Sequence, residues 1–123
     1  MNFTYADAAR NLLHLIVAGT LDKAAAKQLL DDAVTATATL RHGFDVLSDF
    51  RDLKAIDREA TRLVHNLMEF LTEQGVERVI RILPSENENF GLTIMSIFHY
   101  GKDVRFVTCL NLEEAGKVLE PSE

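Results

Sequence analysis

The sequence predicts a single α/β domain spanning residues 1–123, a mixed β-sheet with an N-terminal β-hairpin followed by alternating helices and strands. Three observations carry that expectation. Two apolar runs near the N-terminus are separated by Arg10-Asn11, a turn pair in which Asn tolerates left-handed backbone angles. Beyond them, segments with apolar residues at helical spacing alternate with short runs rich in Val, Ile, Leu and Phe. Strands that alternate with helices imply parallel crossovers. Finally, Gly, Pro or an Asx cap punctuates the junctions.

Taken in order, residues 3–7 alternate large and polar side chains, and residues 12–18 form a second apolar strand closed by Gly19. Asp22 caps a helix whose apolar stripe is Ala26, Leu29, Leu30, Ala33 and Val34, with Leu40 returning to the same face. Thr37 interrupts that stripe, and Gly43 is expected at C′ with His42 in the last turn. The stretch from Phe44 to Leu53 reads as the central strand, running out of the core into a polar turn. Asp57 caps the next helix, with Ala60, Leu63, Val64, Leu67 and Leu71 on one face and Gly75 closing it. A strand over residues 76–83 ends at Pro84, which cannot donate to a ladder. After a polar loop, a short apolar helix runs from Phe90 through Phe98 and ends near Gly101. Residues 104–110 form the last strand, and Asn111 with Glu114 makes a capping box for a final helix through Leu119.

Net charge is −6 and no long basic run occurs, which disfavours a nucleic-acid partner. Cys109 is alone, so no internal disulfide forms, and a reducing, cytoplasmic location is expected. Neither a signal peptide nor a membrane-spanning run is visible.

Three stretches carry a family resemblance: residues 13–21 as the second strand, Val46-Leu47-Ser48-Asp49-Phe50 leading to Ile56-Asp57, and Asn111-Leu112-Glu113-Glu114-Ala115 opening the last helix. In this order they resemble the STAS domain (sulfate transporter and anti-sigma-factor antagonist), in particular its divergent SpoIIAA-like family. In anti-sigma-factor antagonists an Asp-Ser pair follows the central strand, and a partner kinase phosphorylates the Ser. The resemblance places that Asp on Asp57 and the Ser position on Arg58, which cannot accept phosphate. Thr61, one turn on, is a poor substitute, because its hydroxyl is expected to bond a backbone carbonyl. What the resemblance implies is a non-enzymatic domain that works through contacts.

Two constellations stand out. Asp49, Arg51, Asp52, Asp57 and Arg58 cluster after the central strand, and Ser85 and Asn87 follow another strand toward the same edge. Open α/β sheets bind ligands outside the carboxyl ends of their strands, so this rim is the candidate ligand or partner site. The plainer reading pairs Arg51 with Asp52 or Asp57 and leaves Asp57 as a helix cap. Phe90, Leu92, Met95, Ile97 and Tyr100 crowd one short helix nearly all round, which marks a candidate apolar interface or pocket lid. His65 and Glu69 stand at i, i+4 on a solvated face, and two ligands do not close a metal site, so none is expected. No nucleophile elbow, P-loop or dinucleotide fingerprint is present, and no cofactor is expected. The leading expectation is a non-catalytic interaction and regulatory module that self-associates into a homo-oligomer with an unidentified protein partner. Second is a sensor or carrier of a small apolar ligand or lipid, since the SpoIIAA-like family is also similar to Sec14-type lipid-binding folds. Third is an enzyme using Asp49, Asp52 and Asp57.

Overall fold

The computed structural model describes residues 2–84, 88–101 and 103–120. Among them the chain runs β1 (Asn2–Asp7), β2 (Leu12–Val17), β3 (Gly19–Leu21), α1 (Lys23–Thr37), β4 (Asp45–Asp49) and β5 (Leu53–Ile56). A single 3-10 turn (Arg58–Ala60) then leads into α2 (Thr61–Glu73), β6 (Arg78–Ile82), α3 (Glu88–Ile97), β7 (Arg105–Cys109) and α4 (Leu112–Leu119). Five strands form the main sheet in the order β1-β2-β4-β6-β7, with β1 antiparallel to β2 and the other neighbours parallel. The mixed sheet with its opening hairpin is therefore present, and β4 is its middle strand. No helix among the described residues is long and apolar enough to cross a membrane.

The hairpin closes where the sequence places it. Asn11 adopts φ 53°. Its side-chain oxygen accepts from the Arg41 N–H at 2.7 Å and its amide donates to the Arg41 carbonyl at 3.2 Å, tying the turn to the loop before β4. Strand alternation then sorts the core onto two faces. Leu13, Leu15, Val17, Val46 and Val79 meet α1, α2 and α3, with Leu29, Leu67, Leu71, Ile94 and Phe98 filling the layer. Leu12, Leu47, Ile80, Ile82 and Cys109 point the other way, where Ala115 brings in α4. Asn111 caps that helix by accepting from the Glu114 N–H at 2.8 Å.

Several expectations are corrected. Only Asp45–Asp49 of the stretch from Phe44 to Leu53 is a strand of the main sheet. Phe44 and Phe50 are buried beside it, residues 50–52 turn, and Leu53 starts β5. β5 pairs in parallel with β3, so the β2 and β4 tracks resume beyond a break as a separate two-stranded ribbon. The break is bonded: Phe50 N–H reaches the Ile82 carbonyl at 2.9 Å, and Gly19 N–H reaches the Asp52 carbonyl at 2.9 Å. Asp22 caps α1 by accepting from the Ala25 N–H at 2.8 Å, but α1 stops at Thr37. There the Thr37 hydroxyl donates to the Ala33 carbonyl at 2.8 Å, a back-bond that competes with helix continuation, and residues 38–40 unwind into turns. Val34 faces solvent rather than the core, because the buried face of α1 runs through Ala26, Leu29, Ala33 and Thr37. Gly43 therefore sits in the loop before β4 and is not a helix cap, and Gly101 lacks a positive φ. Gly101 is needed for space instead, since a Cβ there would stand 2.8 Å from Thr72 Cγ2.

Gly75 does cap α2. At φ +93° it donates to the Thr72 carbonyl at 3.1 Å, while Val76 N–H reaches the Leu71 carbonyl at 3.2 Å. These are the two bonds of a Schellman motif. A side chain at this left-handed position costs about 1–2 kcal/mol, and a Cβ would also overlap the His42 imidazole. Gly75→Ala is expected to lower the urea-unfolding free energy by at least that amount. Gly75→Ala combined with His42→Ala should recover the overlap part and keep the backbone part.

Candidate functional site

The rim after β4 is built around one ion pair. Asp49 is the last residue of β4, 8% exposed, on the same face as Leu47. Its Oδ1 accepts from both the backbone N–H and the Nε of Arg51, at 3.1 and 3.0 Å, and its Oδ2 accepts from Nη2 at 2.8 Å. The carboxylate thus clamps the turn that ends the strand while neutralising a cation. Burial pushes the Asp49 carboxyl up, but the Arg51 side-chain and backbone hydrogen bonds and the Arg51 charge outweigh it, and the net position is below the ordinary value. Reciprocally, Asp49 raises Arg51, to which Asp52 adds a smaller contribution. Arg51 therefore pairs with Asp49, not with Asp52 or Asp57.

Asp57 and Arg58 lie apart from that pair. Four residues of β5 intervene, and five steps along extended chain at about 3.3 Å each separate Asp52 from Asp57 by roughly 16 Å. A shared-proton carboxylate dyad needs contact distance, so Asp52 and Asp57 do not form one with each other. Asp57 precedes the 3-10 turn with extended backbone angles, but its side chain makes no capping hydrogen bond. Its N–H instead donates to the Leu21 carbonyl at 2.9 Å, closing the β3–β5 ribbon. Arg58 is exposed, and the Thr61 hydroxyl donates to its carbonyl at 2.8 Å, as the sequence suggested. Ser85 and Asn87 lie outside the described residues.

The apolar helix divides its residues. Ile94 and Phe98 are in the core, and the Phe98 ring meets the Phe50 ring at 4.7 Å. Leu92 is 61% exposed, while Phe90, Met95 and Ile97 are half-buried. Tyr100, at 3% exposure, belongs to the core and meets the outside only where it lines the groove described next. Sequence pattern could not separate these fates because the helix is apolar nearly all round. Beside its end, a groove of about 560 Å³ opens against α2, floored by Met68, Ile97 and Tyr100 and rimmed by His65, Glu69 and His99. His65 and Glu69 stand 3.6 Å apart, both well exposed. Among the described residues no group of three or more His, Cys, Asp or Glu side chains could hold a metal ion. Cys109 is buried, and burial, with Glu114 nearby, pushes its thiol up, away from nucleophilic character.

No family model matches this chain, and none of the curated proteins does. Solved structures do. The anti-sigma factor antagonist SpoIIAA in its unphosphorylated form is 21% identical, with a TM-score of 0.61, over 96% of this chain and 97% of that one. An uncharacterised protein of the DUF3478 family from Shewanella loihica PV-4, described as having a SpoIIAA-like fold, is 17% identical with a TM-score of 0.69, over 97% of this chain and 92% of that one. Phosphorylated SpoIIAA from Bacillus is 17% identical with a TM-score of 0.59, over 96% of this chain and 99% of that one. The fold of this chain is SpoIIAA-like.

Because the Arg51 side chain is partly exposed, Arg51→Met is expected to cost only about 1 kcal/mol. The pH dependence has a defined sign. A depressed folded carboxyl stabilises above its unfolded value, 3.8, and loses that contribution as pH falls through the folded value. The gap in unfolding free energy between wild type and Arg51→Met should therefore be constant while Asp49 is ionised in both proteins, and close as pH falls first through the variant's Asp49 value and then through that of wild type. Carboxyl-carbon NMR titration should show Asp49 moving upward in the variant.

Proposed function

We propose that this chain is a non-catalytic regulatory module that acts by protein–protein contact and associates with itself through α3. The observation that carries the reading is the apolar surface on that helix, where Leu92 stands out at 61% exposure with Phe90, Met95 and Ile97 half-buried. Apolar clusters of this kind on a charged surface mark contact sites. The fold supports it, since SpoIIAA, which shares it, is an anti-sigma factor antagonist. Arg58 occupies the position that the resemblance assigns to a phosphorylated Ser, and it has no hydroxyl to carry a phosphate ester. Control in this chain therefore runs through contacts made by the Asp49–Arg51 and Asp57–Arg58 rim rather than through a phosphate at residue 58. Sedimentation velocity at micromolar concentration should show a dimer or larger species. Leu92→Glu should return the monomer while changing stability by no more than about 0.5 kcal/mol, as surface substitutions do. A strictly monomeric wild type removes the self-association.

The groove between α2 and the end of α3 favours a second reading, a sensor or carrier of a small apolar ligand or lipid. Its volume of about 560 Å³ falls in the range of ligand pockets, roughly 300–1,000 Å³. Native mass spectrometry of protein purified from cells should then reveal a co-purified acyl or aromatic compound. The mass of the bare chain counts against it.

A further inference from the structure

The helix-covered face of the sheet carries one row that is not apolar. Ser48, Arg81 and Thr108 stand in direct register at the penultimate positions of β4, β6 and β7. The same-facing row two residues earlier is Val46, Val79 and Phe106. Arg81 Nε donates to the Thr108 hydroxyl at 3.1 Å, and its guanidinium carbon lies 4.6 Å from the centroid of the Phe106 ring. Tyr100 meets the other side of this arrangement, its ring edge-on to Phe106 at 5.8 Å between centroids. Burial pushes its phenol far above the ordinary range, against weaker opposing contributions from Ser48 and Arg81 beside it. Ser48 is thus the neighbouring hydroxyl, yet the pair makes no bond of acceptable geometry, and the buried Tyr100 oxygen has no partner among the described residues.

Among the described residues the charge has no carboxylate partner either. Arg51, Arg78 and Arg105 each hold a carboxylate, at 2.8, 2.7 and 3.5 Å. Among the described residues no carboxylate stands within 4.0 Å of the half-buried Arg81. A partly desolvated cation beside an unsatisfied buried hydroxyl is costly unless something compensates both. The row offers N–H and O–H donors in excess of acceptors, at the carboxyl ends of parallel strands where such sheets take ligands. A guanidinium fork matches carboxylate or phosphate oxygens.

We propose that Ser48, Arg81, Tyr100 and Thr108 form a binding site for a small oxyanion, a carboxylate or phosphate group. The site is distinct from the Asp49–Arg51 rim, which lies on the opposite face of the sheet, and does not depend on self-association. The test is an NMR titration of ¹⁵N-labelled protein with inorganic phosphate and, separately, with acetate, ionic strength being held constant with chloride. A saturable shift of the Arg81 Nε–Hε resonance with either anion, accompanied by a rise in Tm, is expected, and the anion that produces it identifies the class. Arg81→Met, which keeps the stem over Phe106 but removes that resonance, should abolish the anion-dependent rise in Tm. Tyr100→Phe should weaken binding roughly tenfold, as loss of a hydrogen bond to a charged group does, without lowering Tm in chloride alone. Should Arg81→Met fail to fold, Thr108→Val on the exposed edge strand replaces it and should weaken binding by freeing Arg81. Shifts that follow chloride equally, that are absent with both anions, or that persist undiminished in these variants overturn the proposal.

Discussion

Burial of β4 on both faces is the constraint that the rest of the molecule answers to. Val46, Leu47, Ser48 and Asp49 are all buried. A strand covered on both sides cannot alternate between oil and water, so every side chain it carries must be packed or satisfied. Val46 goes to the three-helix side and Leu47 to the side of α4. The price of placing two polar residues at its carboxyl end is met at Asp49 by three hydrogen bonds from Arg51. Ser48 instead joins a polar row that continues through Arg81 and Thr108.

The same constraint explains why chemistry-bearing groups gather where they do. The buried polar residues of the described strands, Ser48 and Asp49, stand together at the carboxyl end of β4. Arg78 illustrates the amino end: its guanidinium bridges Asp45 on the neighbouring strand and the Val118 carbonyl of α4. In doing so it fastens α4 to the sheet across otherwise apolar packing. The carboxyl end is less completely paired, and both the rim and the polar row lie there.

Much of this was legible in the residues. Asn11 announced its left-handed turn, the Val64–Leu67–Leu71 stripe gave the buried face of α2, and Asn111 with Glu114 marked the start of α4. What escaped has physical reasons. Phe50 and Leu53 are as apolar as any strand residue, so composition alone did not reveal the turn between them; only the bonds to Ile82 and Asp52 made it visible. β3 and β5 are three and four residues long, below the length at which alternation is readable. The partner of Arg51 depended on how the chain turned, and the burial of Tyr100 depended on which side of an all-round apolar segment met the sheet. The rim was recognised as a cluster, but its division by β5 was not.

Strand order along the main sheet, β1-β2-β4-β6-β7, follows chain order without inversion once the short β3–β5 ribbon is set aside. Each strand therefore lies beside the main-sheet strand that precedes it in the chain. As a nascent polypeptide leaves the ribosome, the hairpin can form from local contacts, and every later segment meets an edge already waiting for it. That order permits assembly in chain sequence with no earlier strand displaced, and among the described residues it leaves β1 and β7 as the two edges of the main sheet.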